Sequence, residues 1–279
     1  MPELRPSWRL SFGVAAVLLV VFVSGTLVVR RRPDTRLAVV TAFSREFALI
    51  MSLLGLWQLV GAAVRTRVDG AMERGRAIHA LETAWHLPSE RWMQSVVDTV
   101  PGLMGAANAF YAFAHLNGMA IFVLWLWWRH RDVYPRARLV IICSTLACLV
   151  VQTVPVAPPR LLSEFGFVDT ALRDGSSVYG PFGSGMANQL GAMPSVHVCW
   201  AVIVGWYVWR AAPRPWRVIG PLHTVLTVLV VVVTANHWWL DGVVAAGFVV
   251  LVAAAPTVVR PVPEDRTRRS SRPLRTTRR

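Results

Sequence analysis

The sequence predicts an all-α fold, a polytopic membrane helix bundle with about seven transmembrane helices. Three observations carry that prediction. Hydrophobic residues make up 54% of the chain and charged ones only 16%, a balance too apolar for an ordinary soluble domain. Apolar runs long enough to cross roughly 30 Å of hydrocarbon recur from end to end. Tryptophans (Trp125, Trp127, Trp128, Trp206, Trp209, Trp238 and Trp239) gather where those runs stop, as amphipathic rings do at a membrane–water boundary.

The runs fall at 10–29, 46–64, 105–128, 138–155, 195–210, 217–236 and 238–258. The first is too long for a signal peptide, and Arg30-Arg31-Arg32 follows it where a cleavage site would need small residues, so it reads as a span. The segment 65–104 is polar and mixed in charge. Within it Ile78, Leu81, Trp85, Leu87, Trp92 and Val96 recur at helical spacing, which predicts a helix over 77–97 lying in the interface. The tail 260–279 is rich in Arg, Pro, Ser and Thr and lacks apolar periodicity. It is expected to be disordered and drawn to anionic lipid. Three parts follow: an additional N-terminal span over 1–36, a membrane-embedded helix bundle over 37–259, and the basic tail over 260–279.

All 29 basic residues are arginine, so no mechanism that needs a lysine is open to this chain. The net charge of +14 does not point to nucleic acid, because no basic domain interleaved with aromatics accompanies it. Cys143, Cys148 and Cys199 all lie in apolar runs, with neither a disulfide framework nor metal-ligand spacing. Arginines divide unequally between alternate sides: the N-terminus, 65–104, 156–194 and the turn at 237 hold 9, and the other loops with the tail hold 20. The richer side is expected to be cytoplasmic. The reading is a multi-pass cell-membrane protein whose C-terminus is inside and whose 156–194 loop is outside.

Two short motifs carry the chemistry, Pro194-Ser195-x-His197 and His237-x-x-x-Asp241, each at the mouth of an apolar run. Ionisable groups at membrane depth are costly and mark function by default. On a helix His237 and Asp241 share one face, so the carboxylate can fix the ring's tautomer and support a nucleophilic nitrogen. A structural pair capping a helix is the plainer alternative. Ser195 reads first as an N-cap and second as a phosphate contact. His197, one turn in, can pass a proton to a leaving alcohol oxygen. Pro155-x-x-Pro158-Pro159-Arg160 brings a guanidinium suited to phosphoryl oxygens, whereas Arg173, beside Asp169 and Asp174, reads as a solvated loop charge. Such a set is equipped for phosphoryl transfer through a phosphohistidine, with no metal and no cofactor required.

The order Pro-Pro-Arg160, Gly191-Ala-Met-Pro-Ser195-Val-His197 and Asn236-His237-Trp-Trp-Leu-Asp241 resembles the type 2 phosphatidic acid phosphatase superfamily, most of all its inositol phosphorylceramide synthase (aureobasidin-resistance) branch. The resemblance implies a six-helix catalytic core in the last six spans, with His237 as nucleophile, Asp241 as its orienting partner, His197 as acid and Arg160 as phosphate-binding arginine. It implies a lipid phosphate as substrate and water or a polyol as acceptor. The superfamily's usual first-motif lysine is missing, and Val230 to Val233 stand where its second arginine belongs. Glu82, Asn108, Tyr111 and His115 lie where that branch places polar residues, and the last three are expected to face the substrate cavity. Two rivals come from other classes. A transporter would use His and Asp as a proton relay. A bis-histidine haem protein would draw its ligands from His115, His197 and His223.

Overall fold

The computed structural model describes residues 8–32, 35–64, 69–175 and 189–256. The predicted tail and residues 176–188 of the 156–194 loop lie outside the described residues. Helices follow one another as α1 (Trp8–Arg31), α2 (Thr35–Val64), α3 (Ala71–Ala84), α4 (Glu90–Asp98), α5 (Leu103–Ala109), a π-helical turn (Phe110–Ala114), α6 (His115–Arg129), α7 (Tyr134–Val151), α8 (Thr170–Arg173), α9 (Val196–Ala211), α10 (Ile219–Val233) and α11 (Trp239–Ala254). Among the described residues there is no strand, only an isolated parallel bridge between Val156 and Gly191.

Among the described residues a helix occupies most of each apolar run read from the sequence, but length limits how many cross a membrane unaided. Four helices are long and apolar enough, and the pair formed by α5 and α6, bent by 43°, makes a fifth. Helices α9 and α11 are apolar but only 16 residues each. The structure therefore supports four or five crossings by length and composition, against about seven expected.

Helix α9 is the hub. Its Val198, Cys199, Ile203 and Tyr207 pack in one core with Phe122 and Leu126 of α6, Val140 and Cys148 of α7, Val231 and Val232 of α10, and Ala245 and Val249 of α11. Glycine lets α9 and α10 approach closely: a methyl on Gly220 would stand 2.8 Å from Gly205 O. Small residues at helix crossings do this in apolar surroundings, where dispersion must replace the hydrophobic drive. Outside this core α1 lies along α2, with Gly25 against Thr41 and Ser11 Oγ donating to Gln58 Oε1 at 2.8 Å. Helix α2 is tied to α7 through Glu46, which accepts from Tyr134 Oη at 2.7 Å and pairs with Arg138 and its neighbour Arg45. Arg136 Nη2 donates to the carbonyls of Ala253 and Ala255, so it closes the C-terminal end of α11.

The single interfacial helix expected over 77–97 is two helices. The chain breaks after Ala84 because Pro88 has no N–H and disfavours helix in the residue before it. Ser89 then caps α4, its Oγ accepting from Trp92 N. The pair is polar inward and apolar outward. Glu82, Glu90 and Gln94 are buried, while Leu81, Trp85, Trp92 and Val96 are exposed.

Candidate active site

The turn between α10 and α11 is built in five residues. Thr234 Oγ1 bonds back to Val230 O, Ala235 takes a left-handed conformation (φ 54°), and the amides of Asn236 and His237 both donate to Val231 O. His237 therefore precedes α11 instead of lying on it, since Trp238 is the N-cap and Asp241 sits in the first turn. The shared helix face expected for the pair is replaced by a capping geometry. Asp241 Oδ2 accepts the Trp238 backbone N–H at 2.8 Å and lies 3.3 Å from His237 Nδ1. A nearer partner is the Ala192 carbonyl, 2.8 Å from the same nitrogen. Both neighbours only accept, so Nδ1 carries the hydrogen and the lone pair of the neutral ring is on Nε2.

His197 reaches the same place from α9. Ser195 is the N-cap, its Oγ accepting from Val198 N, and Pro194 stands just before it, outside the first turn. The Ser195 N–H donates to Asp241 O at 3.1 Å, which joins the start of α9 to the start of α11. Gln152 at the end of α7 steadies this corner by donating to Pro194 O at 2.9 Å. The His197 ring lies 5.4 Å from His237, centroid to centroid. On its other sides are Tyr111 (4.4 Å, stacked) and His115 (4.2 Å). Trp200 stacks on His115 at 5.1 Å and is itself fixed by a bond from its Nε1 to Thr145 Oγ1. The 4.2 Å contact of the His115 and His197 rings leaves no room for a haem iron between those two.

Of the three expected cavity residues, the structure groups Tyr111 and His115 with His197. Asn108 is elsewhere, donating to Thr170 Oγ1 at 3.2 Å. The π-turn is the reason: it widens the helix between 108 and 115, so the residues no longer follow the α-helical stripe assumed from their spacing.

Arg160 is buried and anchored to the same turn. Its amide donates to Ala235 O at 2.9 Å and its Nε to Asn236 Oδ1 at 3.0 Å, the residue next to His237. Its Nη1 pairs with Asp169 at 2.8 Å, while the other oxygen of Asp169 caps α8. Asp169 thus serves the arginine and not the solvent. Arg173 is a partly exposed surface charge, as expected, held by Asp98 and Asp174; its guanidinium keeps the Asp98 carboxyl below the usual range. Among the described residues no group of three or more His, Cys, Asp or Glu is arranged to hold a metal ion.

Two histidines, a carboxylate and a buried arginine thus meet at one end of a helical bundle. A family model described as the PAP2 superfamily matches residues 76–256, more than half of the chain. The chain belongs to the PAP2 superfamily. No curated protein and no solved structure matches it. The match covers α3 to α11 and leaves the α1–α2 hairpin outside. As a PAP2 protein the chain is a phosphatase-type enzyme. Sequence reasoning missed the Ala192 carbonyl, Gln152, the bond of Asn236 to Arg160 and the partnership of Asp169. Only Asn236 and Asp169 left a trace, the first inside a motif and the second as a polar loop residue.

Proposed function

We propose that this PAP2 enzyme is an integral membrane lipid-phosphate phosphoesterase or phosphotransferase working through a phosphohistidine at the extracytoplasmic face. The observation that supports this best is the His237 ring, with Nδ1–H committed to Ala192 O and Asp241 and Nε2 left as the basic nitrogen beside His197. His237 Nε2 attacks phosphorus, and the phosphorus–oxygen bond to the lipid alcohol breaks as His197 gives that oxygen a proton. Arg160, Ser195 and the amides at the open end of α9 hold the phosphoryl oxygens. Neutral again, His197 takes a proton from the acceptor hydroxyl, which displaces His237 and releases the product. Tyr111 and His115 line the space next to His197 where that acceptor enters.

Water as acceptor gives a lipid phosphatase; a polyol or sugar hydroxyl gives a synthase. The valines at 230–233, all buried where a second arginine would stand, support the synthase-like branch. The arginine asymmetry supports an outward-facing site and a cytoplasmic C-terminus. The test is incubation of the purified protein with lipid phosphates, with and without polyols, following free phosphate and new phospholipid. His237→Ala is expected to abolish both products with the thermal midpoint unchanged. Turnover in that variant within a few-fold of wild type would remove His237 from the mechanism, and a transporter would form neither product.

A further inference from the structure

The first turn of α11 carries Asp241, yet its own amides need acceptors. Asp241 takes the Trp238 N–H, and the Leu240 N–H is taken from another helix, by Glu82 Oε1 of α3 at 2.7 Å. Glu82 is 2% exposed and Glu90, opposite it on α4, 3% exposed. Among the described residues Glu82 Oε2 and Glu90 Oε1 meet no N–H or hydroxyl donor. The two carboxyls meet each other. Such a contact is a hydrogen bond only when one proton is shared between them. The charged groups that face Glu82 are Glu90 from α4 and Asp241 from α11; among the described residues no cation acts on it.

We propose that Glu82, paired with Glu90, is a positioning residue that fixes the first turn of α11 and with it the Asp241–His237 pair. This rests on the reading of His237 and Asp241 as catalytic. Asp241 touches His237 from the turn that Glu82 holds, so losing the Leu240 bond leaves a buried N–H unsatisfied and lets the turn shift. A displacement of about 1 Å at a reacting group can cost on the order of 100-fold in rate. Burial, the Glu90 contact and the nearby Asp241 raise the Glu82 carboxyl to about 9, so at neutral pH Glu82 holds the proton of the contact. This gives the device a pH signature. A carboxyl whose folded value lies above its unfolded value stabilises fully below the unfolded value, near 4.5, and loses that contribution as pH rises toward 9.

The experiment compares wild type, Glu82→Gln, Glu82→Ala and Glu90→Gln in detergent, recording thermal midpoints from pH 5 to 10 and lipid-phosphate turnover over the same range. Glutamine at 82 keeps an acceptor for Leu240 and cannot ionise. Its midpoint, relative to wild type, should rise with pH up to about 9, and its kcat at pH 7 should stay within a few-fold. Alanine should lower kcat at least tenfold at every pH with little change in KM. Glu90→Gln removes the contact but not the burial of Glu82, so it should flatten the pH dependence only in part. Wild-type kcat in Glu82→Ala, or a Glu82→Gln midpoint that tracks wild type at every pH, would overturn the proposal. If wild type turns over no lipid phosphate, the functional reading fails, and the carboxyl pair stands or falls on the midpoints alone.

Discussion

At the scale of the residue, His237 is held by two acceptors of different kinds. The Ala192 carbonyl fixes which nitrogen is protonated, and the Asp241 carboxyl, on the proposed mechanism, offsets charge on the ring as it is phosphorylated. In a serine protease the orienting Asp does both, and its amide variant loses on the order of 10⁴ in kcat. Here the tautomer survives the loss of charge, because Ala192 O remains. Asp241→Asn is therefore expected to lower kcat by about 100-fold with KM little changed. A measured loss below about tenfold would assign Asp241 to structure, and one near 10⁴ would deny the carbonyl its share. The side chains at this site were legible in the sequence because ionisable residues are rare in apolar runs. Ala192 was not, since every residue carries the same carbonyl and only folding aims it. Asp169 shows the converse: nothing in the loop sequence pairs it with Arg160, and only the fold turns it there.

At the scale of the element, periodicity located every apolar helix and failed where a helix is irregular. The break at His86–Ser89 was readable from Pro88, but the apolar stripe running through it masked the stop. The π-turn left no sequence mark, because it is one extra residue accommodated in an otherwise regular helix. It brings Tyr111 and His115 together on His197. Deleting Ala112 is expected to restore a plain α-helix between α5 and α6. The thermal midpoint should then stay within a few degrees of wild type while turnover falls at least tenfold as Tyr111 leaves its stack. Unchanged activity would show that the widened turn serves packing alone.

At the scale of the whole molecule the two ends of the bundle differ in kind. One gathers His197, His237 and Arg160 under α3 and α4; the other holds the links from α6 to α7 and from α9 to α10, with Arg136 clasping the end of α11. A cysteine at Leu172, which is 69% exposed, should react with an impermeant thiol reagent in intact cells, and one at exposed Arg214 should not. The reverse labelling would turn the molecule over in the membrane and with it the arginine argument. The number of crossings was less legible than the number of apolar runs. Composition marks a segment as apolar, but the 16 residues of α9 and α11 rise only about 24 Å, short of the hydrocarbon thickness.

The helices over the active site turn Trp85 and Trp92 outward and keep Glu82 and Glu90 within. A roof of that kind belongs at the depth of lipid headgroups, among the molecules the enzyme is proposed to consume. Such a substrate need never dissolve. On the proposed reading it arrives by drifting within its own leaflet, tails still in oil, and offers only its phosphate to the protein. The encounter is then a search in two dimensions, and the quantity that sets its pace is the crowding of substrate per unit area of membrane, not its molarity in the surrounding water.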